Sequence, residues 1–97
     1  MAEEKRFENK IKAYLDGNQK VWYVKFFANN YTKAGVPDLL ACINGHFVAI
    51  EVKASKGRPS ALQLFNIEAI RQAGGTAMVL YPDQFEDFKK IVEDLCK

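Results

Sequence analysis

Two cysteines and one histidine are all that these 97 residues contain. So few exclude a disulfide framework, a structural zinc site and a histidine-rich metal centre. Cys42 falls inside a predicted strand and Cys96 beside the C-terminus, which fits a protein of the reducing cytoplasm. No apolar run approaches the roughly 18 residues that a membrane span requires. The opening residues, MAEEKRFENK, lack the apolar segment of a signal peptide. Internal repeats, linkers and low-complexity stretches are also missing. What is present is ordinary for a folded domain, with 48% hydrophobic and 27% charged residues. The expected organisation is one small domain over 1–97, with one core.

The net charge of +2 is small, but it is unevenly spread. Residues 1–60 carry ten Lys/Arg against six Asp/Glu, and residues 61–97 carry four against six. A phosphate-backbone ligand would favour that bias, which ordinary surface charge would also produce.

The stretch from Gly35 to Lys53, GVPDLLACINGHFVAIEVK, organises the chain. Asn44-Gly45 between two apolar runs predicts a two-residue type I′ hairpin, because both positions tolerate positive φ. Counting outward from that turn, Ile43 faces His46, Cys42 faces Phe47, Leu40 faces Ala49 and Asp38 faces Glu51. Opposite residues of an antiparallel pair share a face. Alternation puts Lys53 on that face as well. Two carboxylates and an ammonium thus gather at the open end of the hairpin. Like charges placed opposite each other destabilise a sheet, and a hard divalent cation would turn the pair into a binding site. The plainer alternative has Asp38 capping a turn after Pro37, with Glu51 and Lys53 as a solvated ion pair.

Around the hairpin the other elements follow from periodicity. Residues 3–16 predict a helix whose apolar stripe is Phe7, Ile11, Tyr14 and Leu15. Glu8 falls at the edge of that stripe, either reaching water from the flank or serving a site. KVWYVKFF, at 20–27, predicts a strand covered on one side by a helix, with another subunit as a possible cover for the other. Its aromatics are read as core in preference to a base-stacking platform. The loop 28–37 carries Tyr31, Thr32 and Lys33 towards Asp38. After the basic loop ASKGRP, Ser60 and Gln63 form a capping box for a helix whose buried face is expected at Leu62, Phe65, Ala69, Ile70 and Ala73. Gly74-Gly75 ends it, the strand TAMVLY follows at 76–81, and Pro82-Asp83 opens a last helix with Phe85, Phe88, Val92 and Leu95 inward. The order α-β-β-β-α-β-α, with a right-handed parallel crossover, predicts an α/β fold with a mixed central sheet flanked by helices.

Pro37-Asp38, twelve intervening residues and Glu51-Val52-Lys53 resemble the motif of the PD-(D/E)XK nuclease superfamily. With GVPDLL, NGHFVAIEVKASKGRPSALQ and IRQAGG included, the chain resembles the VRR-NUC branch from about Glu8 to Tyr81. That branch comprises small nucleases of phage and bacteria related to archaeal-type Holliday junction resolvases. The resemblance implies a restriction-endonuclease-like αβββαβα core. It also implies that Asp38, Glu51 and the Val52 carbonyl bind Mg²⁺ or Mn²⁺, with Lys53 beside the attacking water and the phosphate. Gln63 would join the site, and Glu8 matches the acid that relatives carry on the first helix. Gln63 is also the capping residue, so the two roles compete for one side chain.

The function so implied is Mg²⁺-dependent endonuclease cleavage of branched DNA such as Holliday junctions, by a homodimer in a bacterial or phage-infected cell. Thr32, Lys33, Lys56 and Arg58 flank the site in sequence and would hold neighbouring phosphates, selecting shape over base sequence. The alternatives are a flap, nicking or restriction-like nuclease, and a non-catalytic DNA-binding subunit with the same fold.

Overall fold

The Asn44-Gly45 turn forms as its chemistry demands, with φ of 49° and 86° at the two residues. In this computed structural model, which describes residues 2–97, the turn joins β2 (Leu39–Ile43) to β3 (His46–Val52). Their register is the one counted from the turn, from Ile43 opposite His46 to Leu39 opposite Ile50. Asp38 lies one residue beyond the end of the ladder. β1 (Val21–Lys25) pairs antiparallel with β2, and β4 (Thr76–Leu80) runs parallel to β3, giving the mixed sheet β1-β2-β3-β4. The helices are α1 (Ala2–Asp16), α2 (Ala61–Gln72) and α3 (Phe85–Leu95), the last preceded by a 3₁₀ turn at Pro82–Gln84.

α1 and α3 cover one face of the sheet. Phe7, Ile11 and Leu15 meet Phe85, Phe88 and Val92 over the inward residues of β2, β3 and β4. Phe7, Tyr14, Phe85 and Phe88 pack largely edge-on, at centroid separations of 5.9–6.5 Å. That geometry suits the ring quadrupoles and fixes how the two helices meet.

The other face is only half covered. α2 packs Ile67 and Ile70 over Ala49, Ala77, Leu40 and Val79, which seals β3 and β4. The inward side of α2 is Asn66 and Ile67, not the expected stripe, since Leu62, Phe65, Ala69 and Ala73 are all exposed. Of the expected stripe only Ile70 packs on the sheet, and among the described residues the rest is left exposed. On the same side of the sheet Trp22 and Val24 stand next to Cys42 and Leu40, and Phe47 stands opposite Cys42. Trp22 is 68% exposed and Phe65 66%, with Val24, Cys42 and Phe47 exposed too. The two cysteines are free. No helix among the described residues is long and apolar enough to cross a membrane.

Candidate active site

Asp38 reaches its place because the loop before it is pressed against α2. Gly35 has φ of 77°, and a Cβ there would come within 2.8–2.9 Å of Leu62 and Asn66. Only glycine accepts both the conformation and the approach. Asn66, buried in α2, donates to the Ala34 carbonyl at 3.1 Å and ties the loop to the same helix. Pro37 is fully buried, and the Phe26 N–H donates to the Asp38 carbonyl at 2.8 Å. The side chain then turns across the sheet end, where Asp38 Oδ2 accepts the Val52 N–H at 2.8 Å. Val52 thus meets Asp38 through its N–H, a contact separate from the metal role expected of its carbonyl.

Glu51 points from β3 into the space between the sheet and the start of α2, and is 2% exposed. Its Oε2 accepts from Gln63 Nε2 at 3.0 Å and pairs with Lys53 Nζ at 3.2 Å. Its Oε1 is buried with no hydrogen-bond partner among the described residues. Burial, and then the Asp38 carboxylate beside it, push the Glu51 carboxyl up to about 7, against the opposing pull of Lys53. A buried oxygen without a partner and two crowded carboxyl groups are what a hard cation would relieve. Among the described residues no three His, Cys, Asp or Glu side chains cluster as a metal cage. A two-carboxylate site still fits Mg²⁺, which commonly takes one or two carboxylates and fills its shell with water and substrate phosphate.

Gln63 does not have to choose between its two roles. Its Oε1 accepts the Ser60 N–H at 2.8 Å and closes the capping box, while its Nε2 donates to Glu51. The start of α2 is therefore tied to the carboxylate by one amide. Gln63→Glu keeps the capping acceptor and replaces the donor with a second acid. We expect its melting temperature to fall by about 5 °C at pH 8 and to stay near wild type at pH 5, where protonated Glu51 can donate to the new carboxylate. Equal losses at both values would mean that the capping box alone is at stake.

Glu8 is buried rather than reaching water from the helix flank. Its Oε1 lies 2.6 Å from Lys25 Nζ, and its Oε2 lies 3.0 Å from Lys12 Nζ and 3.8 Å from Lys5 Nζ. Burial raises the Glu8 carboxyl, but Lys25 and Lys12 outweigh it and hold it below the ordinary carboxylate range. Lys25 also lies 3.5 Å from Asp38 Oδ1, so it links the first helix to the hairpin acids. Sequence reasoning missed Lys25 and Lys12. The signals were a lysine on the helix-facing side of β1, in line with Val21 and Tyr23, and the i, i+4 spacing of Glu8 and Lys12.

Thr32 and Lys33 lie on the loop leading to Asp38. The Thr32 hydroxyl accepts from the Asn29 N–H at 2.9 Å and donates to the Asn29 carbonyl at 3.1 Å, so it shapes the loop, whereas Lys33 is exposed. Lys56 and Arg58 are exposed on the β3–α2 loop, beside a cleft of about 600 Å³ that Tyr81, Asp83 and Gln84 also line. That loop is pinned by Glu3, which accepts from the Ser55 N–H at 3.1 Å and from the Ser55 hydroxyl. The Tyr81 hydroxyl donates to the Gly57 carbonyl at 3.0 Å and holds it from the other side.

No family model and no curated protein sequence matches the chain. Among solved structures, the Holliday junction resolvase Hjc of the archaeal hyperthermophile Archaeoglobus fulgidus is similar, with a TM-score of 0.56 and 26% identity. The similarity covers 79% of this chain and 67% of that one. That resolvase has the restriction-endonuclease-like PD-(D/E)XK fold. The mixed four-stranded sheet with its flanking helices therefore gives this chain the same fold class, with Asp38, Glu51 and Lys53 at the end of its central hairpin.

Proposed function

We propose that the chain is a Mg²⁺- or Mn²⁺-dependent endonuclease of the VRR-NUC branch, cutting branched DNA as a homodimer. The observation that carries this reading is the convergence of Asp38, Glu51 and Lys53, with one Glu51 oxygen buried and unpartnered. A structural ion pair has no use for the second acid. The similarity to an archaeal Holliday junction resolvase supports the branched substrate.

Asp38, Glu51 and the Val52 carbonyl would hold the ion, which when bound supplies Lewis-acid activation of water and phosphate. The protein's own groups do the rest. Lys53, only partly exposed and held by Glu51, places an ammonium where charge develops on the phosphoryl oxygens. Gln63 keeps Glu51 from rotating away. Lys33, Lys56 and Arg58, exposed on the loops before Asp38 and after Lys53, would hold phosphates on either side of the cut, contacts that position a strand without reading its bases.

The uncovered apolar face belongs to a second copy of the chain in this reading. Trp22, Val24 and Phe47 from the sheet, with Leu62 and Phe65 from α2, are too many large apolar groups to leave in water beside one another. A two-fold contact there buries the same patch on both subunits and yields two matching sites.

One experiment tests the whole reading. A synthetic four-way junction, a flap and a linear duplex are incubated side by side with wild type and Phe65→Glu, in Mg²⁺ and in EDTA. Wild type is expected to run as a dimer by light scattering and to cut the junction first, in paired strands, with Mg²⁺ alone. Phe65→Glu is expected to run as a monomer and to lose paired cuts. Cleavage in EDTA would sink the metal site, and equal cutting of all three DNAs would sink the junction preference. Binding without any cleavage in Mg²⁺ or Mn²⁺ would make the chain a DNA-binding subunit.

A further inference from the structure

We infer that Lys25 is a resident cation of this site, lodged between Glu8 and Asp38, which a divalent ion must displace before it can bind Asp38. The inference rests on the proposed role of Asp38 and Glu51 in holding the ion. It assigns Glu8 a different task from theirs.

The two Asp38 oxygens have different neighbours. Asp38 Oδ2 already accepts the Val52 N–H, so Oδ1 is the less occupied of its two oxygens and the readier one for an ion. Lys25 Nζ stands 3.5 Å from that same Oδ1. Lys25 ends β1 directly opposite Leu39, the neighbour of Asp38, so the strand pairing sets this approach. Its side chain is 22% exposed, and water screens it poorly from its neighbours. An ammonium so close to Oδ1 supplies the charge that a metal would supply, and repels a metal that tries to share the oxygen. In the metal-free protein this is useful, because it offsets the charge that Asp38 and Glu51 concentrate at the sheet end.

Glu8 determines where Lys25 goes when displaced. It sits on α1, buried, with Oε2 already facing Lys12 and Lys5 and Oε1 facing Lys25 at 2.6 Å. The shorter contact is to Glu8 and the longer to Asp38, so Lys25 already leans towards the helix. A Lys25 held by Glu8 leaves Asp38 available, whereas a Lys25 without Glu8 has Asp38 as its remaining partner. Glu8 is thereby a positioning residue that acts on the metal site through Lys25, and not a metal ligand.

Two substitutions with opposite signs test this, read as Mn²⁺ binding without DNA. The free-Mn²⁺ spin-resonance signal is titrated with wild type, Lys25→Met, Glu8→Gln and the double variant at about 0.1 M salt. Lys25→Met is expected to bind Mn²⁺ on the order of tenfold more tightly and Glu8→Gln on the order of tenfold more weakly. In the Lys25→Met background, Glu8→Gln is expected to change affinity by less than about threefold, because its effect passes through the missing ammonium. Glu8 keeps Lys12 when Lys25 is replaced, so the fold is preserved; Lys25→Gln, which retains a donor to Glu8, gives a second reading of the same sign. An unchanged or weakened affinity in Lys25→Met overturns the inference. So does a Glu8→Gln loss that persists in the double variant, which would make Glu8 a ligand in its own right. A wild type that binds no Mn²⁺ fails the metal site and this inference together, whereas equal binding by all four proteins fails this inference alone.

Discussion

Lys53→Met is expected to slow DNA cleavage by a factor on the order of 10²–10³ while leaving Mn²⁺ binding in place. Asp38→Asn is expected to abolish cleavage and weaken Mn²⁺ binding together. The two residues sit at the same sheet end, but their contacts differ. Lys53 pairs with Glu51 Oε2, the oxygen that Gln63 also holds, so its removal leaves Glu51 anchored and both carboxylates present. What goes, on the proposed role of Lys53, is a fixed positive charge beside the phosphate, and such stabilisation is worth most in the transition state. Asp38→Asn keeps an oxygen to accept the Val52 N–H, so the loop and the sheet end keep their shape. What it removes is one of two acids in a site with no third among the described residues. Single-turnover cleavage and Mn²⁺ titration of both variants measure the split. Loss of Mn²⁺ binding in Lys53→Met, or full cleavage by Asp38→Asn, would reverse the assigned roles.

The hairpin was legible because its turn left no freedom. Asn44-Gly45 admits one register, and that register put Asp38 next to Glu51 before any side chain was placed. The parallel crossover into β4 followed from chain connectivity, and the inward face of α3 from its spacing. The α2 stripe is a different case. Leu62, Phe65, Ala69 and Ala73 do form an apolar side, yet Asn66 and Ile67 are what α2 buries. Periodicity reports which side of a helix is apolar, and is silent on whether its cover belongs to the same chain. An apolar helix side left exposed carries the same pattern as a core.

Polar residues were legible in part. One amide serves both Ser60 and Glu51 because Gln63 has a donor end and an acceptor end, a division that residue identity permits but spacing alone does not reveal. The link from Glu8 through Lys25 to Asp38 joins α1, β1 and the hairpin, three segments whose approach depends on the packed sheet. Long-range ion pairs of this sort leave no periodic trace. Their only mark in the sequence was a charge on the covered side of a strand, where an apolar residue was expected.

The stability of the metal-free protein is expected to rise when Glu51 is replaced by Gln, by roughly 10 °C in melting temperature at pH 8. The ordinary carboxyl value is 4.5, and burial together with Asp38 raises that of Glu51 to about 7 in the folded chain. Between these values the folded state holds a proton that the unfolded chain releases, so Glu51 supports folding most below pH 4.5 and loses that support as pH rises through 7. At pH 8 the group is charged, buried and beside Asp38, with one oxygen unpartnered. Gln has the same shape without the charge, so it escapes that penalty, and the melting temperatures of the two proteins should converge near pH 5. Saturating Mg²⁺ should raise the wild type at pH 8 and leave Glu51→Gln nearly unmoved, because the ion takes over the role that the proton plays at low pH. A variant that melts at or below wild type at pH 8, or that gains as much from Mg²⁺, would show that Glu51 is a structural acid. A charge retained at the expense of stability, and relieved by a cation, is what separates a metal-binding acid from a structural ion pair.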